Sequence, residues 1–349
     1  MEILKEVIGI DVAKLELVVS MGRLMHSLDI ELAGSQVFKN NSTGIKKLIE
    51  WSNKLKKGDG PLHFVMEATG VYHESFVYHL HDNGYCASVI LPNKISSFMR
   101  TLDIKTITDY TAAKAIMQFG LQRKLSPWRK PDPILKNLKQ LTRERGQIVE
   151  ERTMLKNQLH AEKSEAMPNE RSINRLLERI KLLNKQEKEI KQEIDVYVNQ
   201  NPDLKRQLSY LCSLKGIGRL TGVILLAETN GYELIRNKKQ ITSYAGFDVK
   251  EKQSGTSVKG KSKISKRGNK HIRSAMYLPS LSSVKYIPEF KNLYTRLVAK
   301  HGIKMKALIA VQRKLLELTY VLYKNQTFYD PEYQKKKELS LKKEQLFTN

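Results

Sequence analysis

Cysteine is nearly absent from this chain, which has two in 349 residues, Cys86 and Cys212, each within an apolar stretch. They are too far apart for a zinc-binding pair and too few for a disulfide framework, so both read as buried thiols of a reducing compartment. Long hydrophobic runs are also missing. Nothing approaches the ~20 consecutive apolar residues of a transmembrane helix. The N-terminus, MEILKEVIGIDVAK, has charges within its first six residues and no apolar signal-peptide segment. A soluble cytoplasmic protein without a membrane partner is expected. Negative charge is scarce: 36 Asp+Glu stand against 61 Lys+Arg, a net +25. Such an excess repels itself and attracts polyanions, so nucleic acid is the expected partner. A lysine-rich surface serving solubility alone is the weaker account, because the charge clusters beside motifs.

What is present suffices to fold. The hydrophobic fraction of 40% can build buried cores, and the length predicts two or three domains. Residues 1–130 alternate strand-like and helix-like patterns. Strands are expected at Glu6–Val12, Leu15–Met21, Met25–Leu32, His63–Glu67 and Ala87–Leu91. Helices are expected at Gly44–Lys56, at Val71–His81 before Asn83-Gly84, and at Thr108–Leu121. Helices between strands that end in acids make a mixed α/β sheet. Residues 131–203 change character. Leu138, Leu141, Ile148, Leu155 and Leu159, then Ile173, Leu176, Ile180, Leu183, Ile190 and Ile194, fall on 3/4 spacing around a turn at Met167-Pro168-Asn169. This predicts a helical hairpin of coiled-coil character, serving as an oligomerisation arm or as an ordinary helical subdomain. Residues 204–328 read as a third, mainly helical domain with a basic loop over Lys250–Arg273, and 329–349 as a lysine-rich tail.

Asp11 and Glu67 each end an apolar strand, where a carboxylate can leave a sheet whose backbone stays paired. With Asp109 at a helix start they form a set able to hold Mg²⁺ for phosphodiester chemistry. Any one of them alone, Asp109 especially, reads as a cap or a solvated charge; the ordered set favours the metal. Near the other end, Gln253-Ser254-Gly255-Thr256-Ser257 precedes a run of cations, Lys259, Lys261, Lys263, Lys266, Arg267, Lys270 and Arg273, suited to backbone phosphates. Gly255 permits close approach to a ligand, and Ser254 is expected on a flexible turn. No neighbouring base makes a local triad, so the residues permit a nucleophile without selecting one among several serines. Lys215-Gly216-Ile217-Gly218 before an apolar helix reads equally as a helix-hairpin-helix phosphate contact and as a tight helix connection.

In this order the pieces resemble the DEDD insertion-sequence transposases, the group that includes the Piv DNA invertase and the bridge-RNA-guided recombinases. The N-terminal resemblance lies in Ile8-Gly9-Ile10-Asp11-Val12-Ala13-Lys14, Met66-Glu67-Ala68-Thr69-Gly70 and Thr108-Asp109 through Ala112-Ala113-Lys114-Ala115-Ile116. The C-terminal resemblance lies in Leu214-Lys215-Gly216-Ile217-Gly218, Ser243-Tyr244-Ala245-Gly246-Phe247, Gln253-Ser254-Gly255 and Ile264-Ser265-Lys266-Arg267-Gly268-Asn269. The resemblance implies a RuvC-like, RNase H-type first domain binding Mg²⁺ through four acids, three of them Asp11, Glu67 and Asp109, followed by the helical arm and a C-terminal mainly helical transposase domain. It implies that Ser254 attacks a phosphodiester and joins covalently to DNA in a centre composed with the metal site, with the two parts drawn from different subunits. It further implies homo-oligomers from dimer to tetramer on DNA, a guiding noncoding bridge RNA, and a prokaryotic, nucleoid-associated setting.

The chain departs from the group at one place. The fourth acid should follow Asp109 after two residues, where Ala112 stands. A lost carboxylate weakens divalent binding while a good helix former preserves the helix, so a catalytically impaired chain is expected, a deliberately inactivated variant or a decayed element copy. Shifting the match to Asp103 breaks it through Ile116. Two other functions compete: a metal-dependent nuclease or resolvase that uses water, and a non-catalytic nucleic-acid binder.

Overall fold

In the computed structural model, the description covers residues 2–68, 70–102, 104–233, 235–250, 253–254, 258–259 and 263–333, without the side chains of 253, 254, 258 and 259. The first strands, β1 (Ile3–Val12), β2 (Glu16–Met25) and β3 (Ile30–Lys39), form an antiparallel meander. Helix α1 (Ser42–Leu55) leads to β4 (His63–Glu67), and α2 (Glu74–Asp82) leads to β5 (Cys86–Ile90). β4 lies parallel to β1, and β5 parallel to β4. The strand order β3-β2-β1-β4-β5 makes a five-stranded mixed sheet of the RNase H type. Two more helices follow, α3 (Pro92–Met99) and α4 (Asp109–Gln122).

Side-chain alternation assigns the two faces. Ile8, Ile10, Val12, Phe64 and Met66 pack with Ile45 and Leu48 of α1 and Phe76, Val77 and Leu80 of α2. On the opposite face Val7, Val65 and Ile90 meet Ile95 and Phe98 of α3 and Ile116, Met117 and Phe119 of α4. Each such fully buried side chain contributes about 1.5–3 kcal/mol.

Several sequence expectations need correction. The third strand begins at Ile30, because β2 runs on to Met25 and the turn that follows holds Leu28 at positive φ. Helix α2 begins three residues late, at Glu74, and is closed by Asn83. Pro92 opens α3, where the sequence pattern indicated only a strand's end.

The chain divides into two compact units between Lys130 and Pro131. The second begins with two 31-residue helices, α5 (Pro133–Lys163) and α6 (Glu170–Gln200), which run antiparallel. Arg145 and Arg152 interrupt the apolar seam for a reason. Both donate to Glu187 of α6, with Arg145 Nη2 2.9 Å from Oε1, and Lys191 adds a contact at 2.8 Å. Burial pushes the Glu187 carboxyl up, but the hydrogen bonds from Lys191 and Arg152 and the arginine charges outweigh it and bring it down to about 2. There follow α7 (Pro202–Cys212), α8 (Arg219–Thr229) and α9 (Lys238–Tyr244). The short strands are β6 (Val249–Lys250), β7 (Gln253–Ser254), β8 (Val258–Lys259) and β9 (Lys263–Ile264). Helices α10 (Lys270–Ala275), α11 (Tyr277–Tyr286), α12 (Pro288–His301) and α13 (Lys304–Asn325) complete the unit. One core runs from Leu138 of the hairpin through Val223 and Leu226 to Leu315 and Leu316, so the hairpin and the later helices fold around shared apolar contacts.

Candidate active site and nucleic-acid interface

Strand parity and one glycine place the acids of the first unit at the same end of the sheet. Asp11 and Glu67 share side-chain parity with Val7 and Val65, so they project to the face covered by α4. β1 and β4 are parallel with Ile10 opposite Met66, which sets the two carboxylates side by side at the same sheet end. Asp109 is the first residue of α4, whose N-cap, Thr108, accepts from the Thr111 N–H at 3.3 Å. A Cβ on Gly9 would stand 2.2 Å from the Met117 nitrogen and 2.4 Å from the Ala113 oxygen. Only glycine lets α4 lie this close to β1, and that approach brings Asp109 towards Asp11.

The electrostatics report the convergence. Burial raises the Asp11 carboxyl above its ordinary value, and the Asp109 charge adds to the rise. Burial likewise raises Glu67, with Asp11 contributing. Asp11 is therefore the middle member of a mutually repelling set. Among the described residues no three His, Cys, Asp or Glu side chains stand as a ready-made metal cluster. The donor chemistry nevertheless fits a hard cation: all three donors are carboxylates, and a divalent ion would relieve their repulsion. Ala112 is half-buried and one helical turn from Asp109, on the same helix side, so a carboxylate there would join the set.

Among its described residues, the segment expected as a basic loop holds two short antiparallel strand pairs, the ribbon below, and the start of a helix. β6 pairs antiparallel with β9 (Val249 opposite Ile264), and β7 pairs with β8 (Ser254 opposite Val258). Ser254 therefore belongs to a paired strand and not to a turn; Gly255, Thr256, Ser257, Lys261 and Ser262 lie outside the described residues. The ribbon's base is tightly built. The backbone N–H groups of Asn269, Lys266 and Ser265 donate to the carbonyls of Tyr244, Gly246 and Asp248 at 2.8, 3.1 and 2.7 Å. The Ser265 hydroxyl donates to Asp248 Oδ1 at 2.6 Å. Arg273 Nη1 bridges the carbonyls of Ala245 and Gly268 at 2.8 and 3.1 Å, which engages its guanidinium in this base. Lys263, Lys266, Arg267 and Lys270 are exposed.

Beneath the ribbon is a group that sequence reasoning missed. Glu228 of α8 has a fully buried side chain. Arg143 of α5 donates to both its oxygens, Nε to Oε1 at 2.7 Å and Nη2 to Oε2 at 2.9 Å, and Asn269 Nδ2 donates to Oε2 at 2.7 Å. The Tyr244 hydroxyl donates to the Glu228 carbonyl at 2.7 Å. Burial pushes this carboxyl up, but the hydrogen bonds from Arg143 and Asn269 prevail and hold it below its ordinary range. Glu228 thus ties the long hairpin to the ribbon's base, through its carboxylate to Asn269 and through its backbone carbonyl to Tyr244. Its only sequence signal is an acid inside the apolar run Leu225-Leu226-Ala227-Glu228.

Lys215-Gly216-Ile217-Gly218 joins α7 to α8. Gly216 has φ +105°, and a Cβ there would stand 2.6 Å from Ser283 Oγ and 2.8 Å from the Pro279 oxygen of α11. Ser283 Oγ donates to the Lys215 carbonyl at 3.0 Å. Gly216 is thus occupied by helix packing. Gly218 is the N-cap of α8 without a side-chain cap, and the space beside it is open. Cations are unevenly shared: 17 Lys+Arg against 13 Asp+Glu up to residue 130, then 44 against 23. Among the described residues no helix is long and apolar enough to cross a membrane.

Fold and comparisons together define the class, a transposase whose first domain holds a mixed five-stranded sheet of the RNase H type. Residues 8–168 match the family model of the DEDD transposase of IS110 type, described as a transposase, and residues 208–295 match that of the Transposase IS116/IS110/IS902 family. The chain belongs to the IS110-type DEDD insertion-sequence transposases. It is 28% identical over 298 residues to the pilin gene-inverting protein of Moraxella bovis, covering 84% of this chain and 89% of that one. The pilin gene-inverting protein of Moraxella lacunata matches at the same identity and coverage. A 43.6 kDa insertion element IS110 protein of Streptomyces coelicolor is 27% identical over 120 residues, 34% of this chain and 29% of its own. Among solved structures, T. thermophilus RuvC in complex with Holliday junction substrate aligns at 13% identity and a TM-score of 0.27, over 35% of this chain and 99% of that one.

Proposed function

We propose that this transposase cuts and rejoins DNA at the ends of an insertion sequence through a serine nucleophile, Ser254, assisted by Mg²⁺ held by Asp11, Glu67 and Asp109. The observation that supports the reading is that Asp11 and Glu67 sit on neighbouring parallel strands at one end of an RNase H-type sheet, while Asp109 opens the helix packed on that face, with position 112 one turn along it. When bound, the ion offsets charge on the transferring phosphoryl group. In the cutting step the Ser254 oxygen attacks phosphorus, a serine–phosphate ester forms and one strand oxygen departs. The serine proton ends on that departing oxygen. The ester conserves the broken bond, so attack by another strand's hydroxyl reverses the step and rejoins DNA without an external energy source. The interlocked base around Asn269 and Gly246 holds the ribbon that carries Ser254, while Lys263, Lys266, Arg267 and Lys270 meet backbone phosphates.

The reading extends to a homo-oligomer, dimer to tetramer, on DNA. The α5–α6 hairpin is its arm, and a noncoding bridge RNA directs it to target and donor. The 44 cations of the second unit suit a combined DNA and RNA load. Ala112 leaves the acidic set one carboxylate short, so this copy is catalytically impaired.

The test restores the acid. Ala112→Asp is combined with Mg²⁺, element-end DNA and the RNA encoded beside the element, and a denaturant-stable protein–DNA adduct is sought. An adduct that Ser254→Ala abolishes supports the reading. Cleaved DNA without an adduct would replace it with a water-using nuclease, and retained binding without reaction with a non-catalytic binder.

A further inference from the structure

The acidic end of the first unit is also its most apolar exposed surface. Six of the ten large hydrophobic side chains exposed in that unit's described residues, Leu15, Val71, Tyr72, Leu91, Ile107 and Tyr110, follow the ends of β1, β4 and β5 or adjoin the start of α4. That concentration is not scatter from a surface that must expose some carbon. Hydrogen bonds hold the segments together. The Asn40 N–H donates to the Leu15 carbonyl at 2.8 Å, and Asn40 Nδ2 donates to the carbonyls of Ala13 and Tyr72 at 2.9 and 3.1 Å. The Ala68 N–H donates to Ile90 at 2.9 Å, bringing the segment after Glu67 beside Leu91. Tyr110 directly follows Asp109.

Two features select the occupant. Tyr72 and Tyr110 are 44% and 52% exposed, and an exposed tyrosine ring is a surface on which a base can stack. Each is also accompanied by an exposed lysine. Lys14 adjoins Ala13 in the turn that Asn40 ties to Tyr72, and Lys114 lies one turn along α4 from Tyr110. Alternating aromatic rings and cations around carboxylates match a nucleic-acid strand, whose bases stack on rings while its phosphates meet lysines. A paired duplex hides its base faces within the stack and offers these rings nothing.

We propose that Tyr72 and Tyr110 form a base-stacking site for an unpaired DNA strand, holding the nucleotides beside the phosphate presented to Asp11, Glu67 and Asp109. The inference rests on the strand-cutting reading above for the identity of that phosphate. The site takes a locally opened strand, so the DNA must be unpaired before it is cut.

The test measures binding of the full chain to a short single-stranded DNA carrying 2-aminopurine, and to the same sequence as a duplex, in chelator so that cutting plays no part. Tyr72→Ala and Tyr110→Ala should each weaken single-strand binding by roughly tenfold, with Phe restoring it and duplex binding almost unmoved. The salt dependence should keep its slope in the tyrosine variants and fall by about 0.7 in Lys14→Ala or Lys114→Ala. Unchanged single-strand affinity, or equal losses on strand and duplex, overturns the proposal. So does an altered oligomeric state with strand affinity intact, which would give the face to protein. Failure of the adduct experiment alone would sink the cutting mechanism and leave this binding result standing.

Discussion

Replacing Arg143 with Met would strip Glu228 of both hydrogen bonds that reach it from α5, while the carboxylate stays where water cannot follow. Orphaning one member of a fully buried ion pair costs about 3–5 kcal/mol. Here the Arg143 side chain is 42% exposed, so solvent already screens part of the attraction. Asn269 remains at 2.7 Å and Lys139 at 4.0 Å. The expected loss is therefore about 2–3 kcal/mol. It should appear as a lower urea midpoint for the second unit, followed by circular dichroism of its helices. Acidity supplies the second arm. In the parent, Glu228 is held below its ordinary 4.5, so its stabilisation is complete above that value and fades as pH falls through the lower folded value. In the variant the buried carboxylate, without its arginine, is a burden at neutral pH that protonation lightens. The gap between parent and variant should be widest near neutrality and narrow on acidification. Combining Arg143→Met with Glu228→Leu should recover most of the loss, less about 1 kcal/mol for the acceptor Asn269 no longer has. A gap that ignores pH, or a double variant weaker than the single, would refute the account of Glu228 as an ionised hub.

Gly9→Ala sets a methyl against the α4 backbone, where no side chain can yield, and should cost at least about 3 kcal/mol by thermal melting of the first unit; an ordinary melting temperature would show that α4 does not rest on β1 in this way. Glu187→Gln removes the carboxylate shared by Arg145, Arg152 and Lys191, and should destabilise the hairpin at neutral pH. Because the parent carboxyl titrates at about 2, that difference should shrink as pH falls below 4.5, and a difference constant with pH would argue against an ionised Glu187. Ala112→Asp adds a like charge one turn from Asp109 and should cost about 0.5 kcal/mol in chelator by differential scanning calorimetry. Mg²⁺ should reverse the sign of that change, and no response to Mg²⁺ in parent or variant would remove the metal from the acidic end.

What could be read directly from residues was whatever depends on near neighbours. Asp11 and Glu67 are legible because each closes an apolar run of strand period, and period 2 alone then decides which face they take. The hairpin seam is legible for the same reason, since its 3/4 rhythm continues over two long helices. The strand boundary at Met25 was misjudged because a hairpin turn is set by backbone conformation at Leu28, a residue with no turn preference of its own. The ribbon around Ser254 escaped notice because its strands are two residues long and lysine-rich, and their pairing is set by the interlocked base, not by their own propensity. Glu228 escaped notice for the plainest reason: its partners Arg143 and Asn269 are 85 and 41 residues away.

Position 112 shows why fold and activity can separate in such a chain. What holds α4 in place is on its other sides: Ala113 and Met117 against Gly9, Ile116 and Phe119 in the core, and Thr108 at its cap. None of these contacts uses the side chain at 112, and alanine is the best helix former available there. Packing is therefore indifferent to a carboxylate at this site, whereas under the proposed mechanism the acidic set is not, since a missing donor would leave the remaining ones to hold the ion alone. On that proposal one substitution would remove the chemistry while every packing contact named above stayed in place. Restoring one side chain is for the same reason a fair test, because it changes the site without asking the fold to move.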